Sequence, residues 1–248
     1  MKKTTSWGKV ATWYDTLVEG DNSYQNTVIL PNLLRVVSPD KGKEILDLAC
    51  GQGFFSAAFL KAGSRVTGVD ISPELVEIAK MGNKDGLFKV SSAEKLPFPP
   101  GKFDVAVCVL ALQNIKDMQK VISEVARVLK DKGRFVFVLN HPAFRIPKES
   151  DWGFDAETGK QYRKVATYMS ERTFDIVMNP GKKGSAQTIS FHRPLQSYVK
   201  SLSKAGFAVT KLEEWISDRK SQKGPRQSAE DKARKEIPLF MLVEAVKI

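Results

Sequence analysis

The chain has 248 residues, 42% of them hydrophobic and 27% charged, which suits one domain with a full core. Its 17 Gly, 12 Pro and two cysteines exclude collagen-like, mucin-like and disulfide-framed classes, and the scarce cysteines fit a reducing compartment. Thirty-nine Lys and Arg against 28 Asp and Glu leave a net charge of +11, which admits nucleic acid or an anionic substrate but equally describes a solvated Lys-rich surface.

Trp7–Leu34 is of mixed character and is expected to be helical, part of a cap over residues 1–40 that covers one sheet edge. From Lys43 to Leu139, short apolar runs alternate with helix-period segments. Lys43–Leu48 reads as a strand, Ala49-Cys-Gly-Gln-Gly as a tight loop, and Phe54–Ala62 as a helix ended by Gly63. Arg65–Val69 is a second strand closed by Asp70; Ser72 caps a helix over Pro73–Met81, with Pro73 at its first position. Leu87–Val90 and Phe103–Leu110 are further strands, Met118–Leu129 is a one-faced amphipathic helix, and Gly133–Leu139 is a fifth strand. Continuously apolar strands separated by helices imply a parallel sheet covered on both faces.

Residues 141–190 break the pattern with Pro142, Pro147 and Pro180, and read as a partly ordered insertion or lid. Leu195–Ala205 is then expected to be a helix, and Phe207–Trp215 and Pro238–Val246 strands. The polar segment Ile216–Ile237 between those strands reads as a long surface loop. No apolar run approaches the roughly 20 residues of a membrane span, and no apolar stretch follows the basic start, so a cytoplasmic protein without membrane attachment is expected.

Ligands of open parallel sheets bind at the carboxyl ends of the strands. Gly51 and Gly53 let the backbone turn close to a ligand, and Asp70 at the second strand tip can accept both hydroxyls of a ribose. Ser56 replaces the third glycine of a dinucleotide fingerprint, and Asp47 beside the loop repels phosphate while suiting an ammonium group. A ribose-bearing ligand with an amino-acid end and no phosphate fits best.

The stretches Glu44-Ile-Leu-Asp-Leu-Ala-Cys-Gly-Gln-Gly, Gly68-Val-Asp-Ile-Ser, Ala93-Glu-Lys-Leu-Pro-Phe and Phe103-Asp-Val-Ala-Val-Cys resemble the successive signatures of class I S-adenosylmethionine-dependent methyltransferases. That resemblance implies a doubly wound, Rossmann-like α/β fold: seven mostly parallel strands, helices on both faces and an antiparallel last strand, in a single domain. By position it implies that Ala49, Gly51 and Gly53 line the methionine moiety of S-adenosyl-L-methionine, with Asp47 behind it. It further implies that Asp70 holds the ribose, that Ile71, Ala93 and Glu94 flank the adenine, and that Val109 and Leu110 border the methionine end. Ser92 and Gln113 depart from the family, which often has Asp and His at these places.

Methyl transfer is an in-line displacement in which alignment and water exclusion dominate; a base serves only where the acceptor must lose a proton. His141, after the fifth strand, and His192, before the late helix, are the candidate bases, His141 foremost; structural hydrogen bonding competes for both. Tyr14 resembles a family segment that folds over the cofactor. Trp152, Tyr162 and Tyr168 are candidates for an aromatic wall, and Arg145, Arg163 and Arg193 for recognising a carboxylate or phosphate. Cys50 is read as loop packing, and no metal-ligand spacing occurs. The expected reaction is methylation of O, N or C on a small-molecule acceptor, yielding S-adenosyl-L-homocysteine. Competing readings are an RNA methyltransferase using the basic surface, disfavoured by the lack of an RNA-binding module, and a catalytically inactive cofactor-binding partner subunit.

Overall fold

The computed structural model describes Gly20, residues 22–178, Ser185, and residues 187–217 and 219–248. Gln25–Ile29 is wound as a π-helix and runs directly into α1 (Leu30–Val37). The alternating region then gives β1 (Glu44–Leu48), α2 (Phe54–Lys61), β2 (Arg65–Asp70), α3 (Pro73–Gly82), β3 (Leu87–Val90), β4 (Phe103–Val109), α4 (Met118–Val128) and β5 (Leu129–Asn140). The caps act as their residue types dictate: Ser72 Oγ accepts the Leu75 N–H at 3.3 Å, and Asp117 Oδ1 accepts that of Lys120 at 3.1 Å. The fifth strand is longer than its apolar run, because Leu129 already pairs with Phe103 across a bulge.

Beyond β5 the insertion is two antiparallel hairpins, β6 (Ser150–Asp155) with β7 (Lys160–Val165) and β8 (Arg172–Val177) with β9 (Gln187–His192). They are followed by α5 (Leu195–Lys204), β10 (Phe207–Trp215), α6 (Gln227–Glu236) and β11 (Phe240–Lys247). The helix α6 corrects the loop reading of Ile216–Ile237. It buries only Ala233, so no apolar period marks it, and helix-forming Glu, Ala, Lys and Arg residues sustain it.

The main sheet runs β10-β11-β5-β4-β1-β2-β3, with β11 antiparallel to both its neighbours and the inner pairs parallel. The chain winds outward from β1 through β2 and β3, then restarts on the other side of β1 at β4, so the order reverses between β1 and β4. That reversal opens the crevice where such sheets take ligands. Leu33, Val36 and Val37 of α1 pack with Phe59 on Ile45, Val66 and Val105 of one face. Val121, Ile122 and Val125 of α4 pack with Tyr198 and Leu202 of α5 on Phe135 and Phe137 of the other. Each such fully buried side chain contributes about 1.5–3 kcal/mol. Within the described residues, this helical segment covers a sheet face rather than the expected edge; residues 1–19 and 21, which hold most of the helix expected over Trp7–Leu34, lie outside the described residues.

Candidate active site

The loop after β1 is shaped by backbone that turns left-handed: Ala49 and Gly51 have φ of 56° and Gly53 of 85°. Gly53 is required there twice over, since a Cβ would also meet Asn83 Nδ2 at 2.8 Å and Ala79 Cβ at 3.2 Å. At the end of β4, Leu110 holds φ of 53°, a conformation an L residue keeps only when its surroundings impose it. The side-chain amides of Gln113 and Asn114 supply that constraint, donating to the Leu110 carbonyl at 2.9 and 3.3 Å. Two strained residues thus face each other across the β1–β4 crevice.

Two buried carboxylates sit beside this loop. Asp70 Oδ2 accepts the Gly51 N–H at 3.0 Å and Oδ1 accepts the Ser72 N–H at 2.9 Å, which ties the glycine loop to the tip of β2. Asp47 Oδ2 accepts the Ser56 hydroxyl at 2.6 Å. Burial raises both carboxyls above their ordinary value, Asp47 to about 6 despite the Ser56 bond, and the Asp70 charge adds to the effect. Among the described residues no cationic side chain pairs with either. A pair of desolvated carboxylates without a cation favours a positively charged ligand and opposes a phosphate.

The cleft is open to solvent, with about 410 Å³ of space along it, solvent included. Of the residues expected there, Asp47, Ala49, Gly51, Val109 and Leu110 line it; Gly53 and Asp70 brace the loop from behind. Ile71, Ala93 and Glu94 stand outside the lining. Ile71 is 60% exposed at the tip of β2, and the Ser92–Lys95 turn carrying Ala93 and Glu94 follows Ser91, whose N–H donates to the Asp70 carbonyl. The structure also places Gln25, Gln52, Phe54 and Phe55 in the wall. The last three adjoin the glycine loop in sequence and were findable from it, whereas Gln25 arrives from the N-terminal helix without any local signal. Among the described residues Gln52 Nε2 is buried with no hydrogen-bond partner, a donor available to a ligand oxygen. Cys50 lies in the loop with burial pushing its thiol well up, consistent with packing.

The two histidines differ. His141 Nε2 faces Glu214 Oε1 at 2.7 Å, and Nδ1 accepts the N–H groups of Ala143 and Phe144 at 3.2 and 3.3 Å. Both ring nitrogens are committed to holding the turn after β5, and His141 is not in the cleft wall, so the expectation of a free base there meets a structural role instead. His192 donates from Nε2 to the Tyr168 carbonyl at 2.8 Å, which leaves Nδ1 as the lone-pair nitrogen. Like His141 it stands outside the cleft wall; it ends β9, which packs on the Leu112–Asn114 turn just beyond Leu110. Tyr14 lies outside the described residues. Arg193 donates to the Ile115 and Lys116 carbonyls, and Arg163 to the Phe144 carbonyl, so both brace loops. Among the described residues no cluster of His, Cys, Asp and Glu is arranged for a metal, and no helix is long and apolar enough to cross a membrane.

Topology and cleft together define a doubly wound α/β protein with a cleft at the tips of β1 and β4. Residues 46–137 match the family model described as a methyltransferase domain. The chain is 38% identical over 99 residues to YcgJ, an uncharacterized methyltransferase of Bacillus subtilis, covering 38% of this chain and 39% of the relative. It is 35% identical over 120 residues to the demethylmenaquinone methyltransferase of Thermotoga maritima, covering 48% and 50% of the two chains. Over 112 residues it is 35% identical to a ubiquinone biosynthesis O-methyltransferase of Xanthomonas campestris, covering 43% and 46%. The chain thus spans about two fifths to one half of the length of these relatives. An S-adenosylmethionine-dependent methyltransferase from Mesorhizobium loti shares the fold at TM-score 0.71, 24% identity and coverage of 92% and 99%. So does the [4+2]-cyclase SpnF, at TM-score 0.62, 17% identity and coverage of 97% and 93%.

Proposed function

We propose that this chain is a methyltransferase that uses S-adenosyl-L-methionine to methylate O, N or C of a small organic molecule. The observation that carries the reading is the pair of buried carboxylates without a cationic partner, set beside a left-handed glycine loop at the β1–β4 crevice. The residues fit the cofactor's chemistry. Asp70 retains acceptor capacity for ribose hydroxyls, Asp47 suits an ammonium group, and the unpartnered Gln52 amide suits a carboxylate oxygen. The cofactor supplies an electrophilic methyl on a sulfonium; the protein's part is to hold donor and acceptor in line and keep water out. His192 Nδ1, near the exit of β4, is the group available to take a proton where the acceptor carries one. The relatives named for quinone-precursor methylation support a small acceptor.

Calorimetry with S-adenosyl-L-homocysteine tests the cofactor, with nicotinamide adenine dinucleotide as the control. Affinity for the first and none for the second is expected. The converse preference, or affinity for neither, refutes the reading.

A further inference from the structure

We propose that the acceptor of this methyltransferase carries an oxyanion, a carboxylate foremost, and that Arg145 receives it. The proposal deepens the methyltransferase reading and rests on it. Arg145 stands in the turn after β5, its N–H donating to the His141 carbonyl at 2.9 Å, while His141 is itself tied by its N–H to Leu239 O at 2.9 Å. The turn is therefore clamped to the ligand end of the sheet. The Arg145 guanidinium lies over the ring of Phe240, 5.3 Å from its centroid, and the Tyr24 ring meets the same Phe240 edge-on at 5.7 Å.

The guanidinium is largely buried, yet among the described residues it makes no hydrogen bond and no ion pair. The adjacent Arg163 is satisfied, by the Phe144 carbonyl and Ser150. The neighbouring carboxylates are engaged elsewhere, Glu214 with His141 and Glu213 with Arg35. Burial is the main influence against the Arg145 charge; Tyr24 opposes it and the adjacent Arg163 adds to it. A guanidinium cannot escape by losing its proton, and its solvent-reachable donors are free to take a ligand's oxygens. An arriving anion is what completes the site.

Position supports the same occupant. Leu110 at the end of β4 lines the cofactor cleft, β5 is the next strand and β11, carrying Phe240, the one after. Phe240, over which Arg145 lies, is therefore two strands from Leu110, about 10 Å at a strand spacing of about 4.8 Å. Phe240 beneath the guanidinium, with Tyr24 edge-on against it, gives the site an aromatic floor, which favours a planar acid.

The test is calorimetry on the protein saturated with S-adenosyl-L-homocysteine, using benzoate, its neutral isostere benzamide, and inorganic phosphate as probes. Benzoate should bind at least about tenfold more tightly than benzamide. Arg145→Gln should cost about 10- to 100-fold in benzoate affinity while the affinity for S-adenosyl-L-homocysteine stays unchanged, and Arg145→Lys should restore part of it. Phosphate bound with the same dependence on Arg145, and benzoate not, would keep the oxyanion site and assign it to a phosphorylated acceptor. Benzoate and phosphate bound no better than benzamide, or an unchanged affinity in Arg145→Gln, overturns the proposal. Should Arg145→Gln fail to fold, the wild-type comparison of benzoate with benzamide and the partial loss in Arg145→Lys decide. If the wild type binds no S-adenosyl-L-homocysteine, the methyltransferase reading fails instead, and benzoate titration of the unliganded protein still reads the Arg145 site.

Discussion

The buried carboxyl of Asp47 makes cofactor binding dependent on pH in a direction that can be worked out. Burial raises it from 3.8 to about 6. At about 1.4 kcal/mol per pH unit, the ionised form is penalised in the folded chain by about 3 kcal/mol. Because the folded value lies above the unfolded one, the group stabilises the fold most below pH 3.8. That contribution declines as pH rises and is gone above pH 6. A ligand bringing an ammonium group binds the ionised carboxylate, so S-adenosyl-L-homocysteine affinity should rise about tenfold between about pH 5 and pH 7.5 and then level off. Asp47→Asn should flatten that rise. It should also stabilise the unliganded protein at about pH 7.5 by up to about 3 kcal/mol, less about 1 kcal/mol for the weakened Ser56 hydrogen bond. Isothermal titration across this pH range, with urea denaturation of both proteins, measures each quantity. A flat wild-type profile, or a slope that survives Asp47→Asn, would show that Asp47 does not face the ligand's positive charge.

Asp70→Ala removes the acceptor of the Gly51 and Ser72 N–H groups along with any ribose contact, and should weaken S-adenosyl-L-homocysteine binding by about 100-fold by calorimetry. His192→Asn should slow methyl transfer to a hydroxyl or amine acceptor about 100-fold with cofactor affinity intact. His141→Asn should chiefly lower the melting temperature, since three contacts of the turn after β5 run through that ring; equal effects of the two on kcat would contradict this division. Gly68→Ala places a Cβ 2.5 Å from Phe88 Cδ1 and 2.9 Å from Cys50 Sγ, which should cost about 1–3 kcal/mol in urea denaturation.

The sheet was legible because its strands are apolar on both faces and its helices keep one apolar stripe, so period and composition agree from Glu44 to Asn140. The glycine loop and Asp70 were legible because backbone conformation and strand-tip position restrict the residue types there. What stayed hidden depends on partners distant in sequence. The helix α6 has no stripe to show. The sequence displays a histidine at position 141 but not Glu214 and the two N–H groups that occupy its ring. The unpaired guanidinium of Arg145 is likewise a tertiary fact: composition counts its charge, and only the fold reveals that no carboxylate among the described residues meets it.

The shared fold of a [4+2]-cyclase means that strand order alone does not dictate the reaction; the distribution of charge along the crevice has to. Here that distribution is polar. Asp47 and Asp70 make the β1–β2 end anionic, and Arg145 makes the β5–β11 end cationic, about two strand spacings from Leu110. A cationic donor and an anionic acceptor can enter such a crevice in one order only, because the reverse placement sets like charges together in a desolvated site. Orientation is thereby fixed before any bond changes, and alignment is the main service an in-line transfer needs. The same reasoning explains why the site tolerates the cost of burying Asp47 ionised and Arg145 unpaired. Each is destabilising in the unliganded chain, and each becomes a source of affinity and direction when its own ligand arrives.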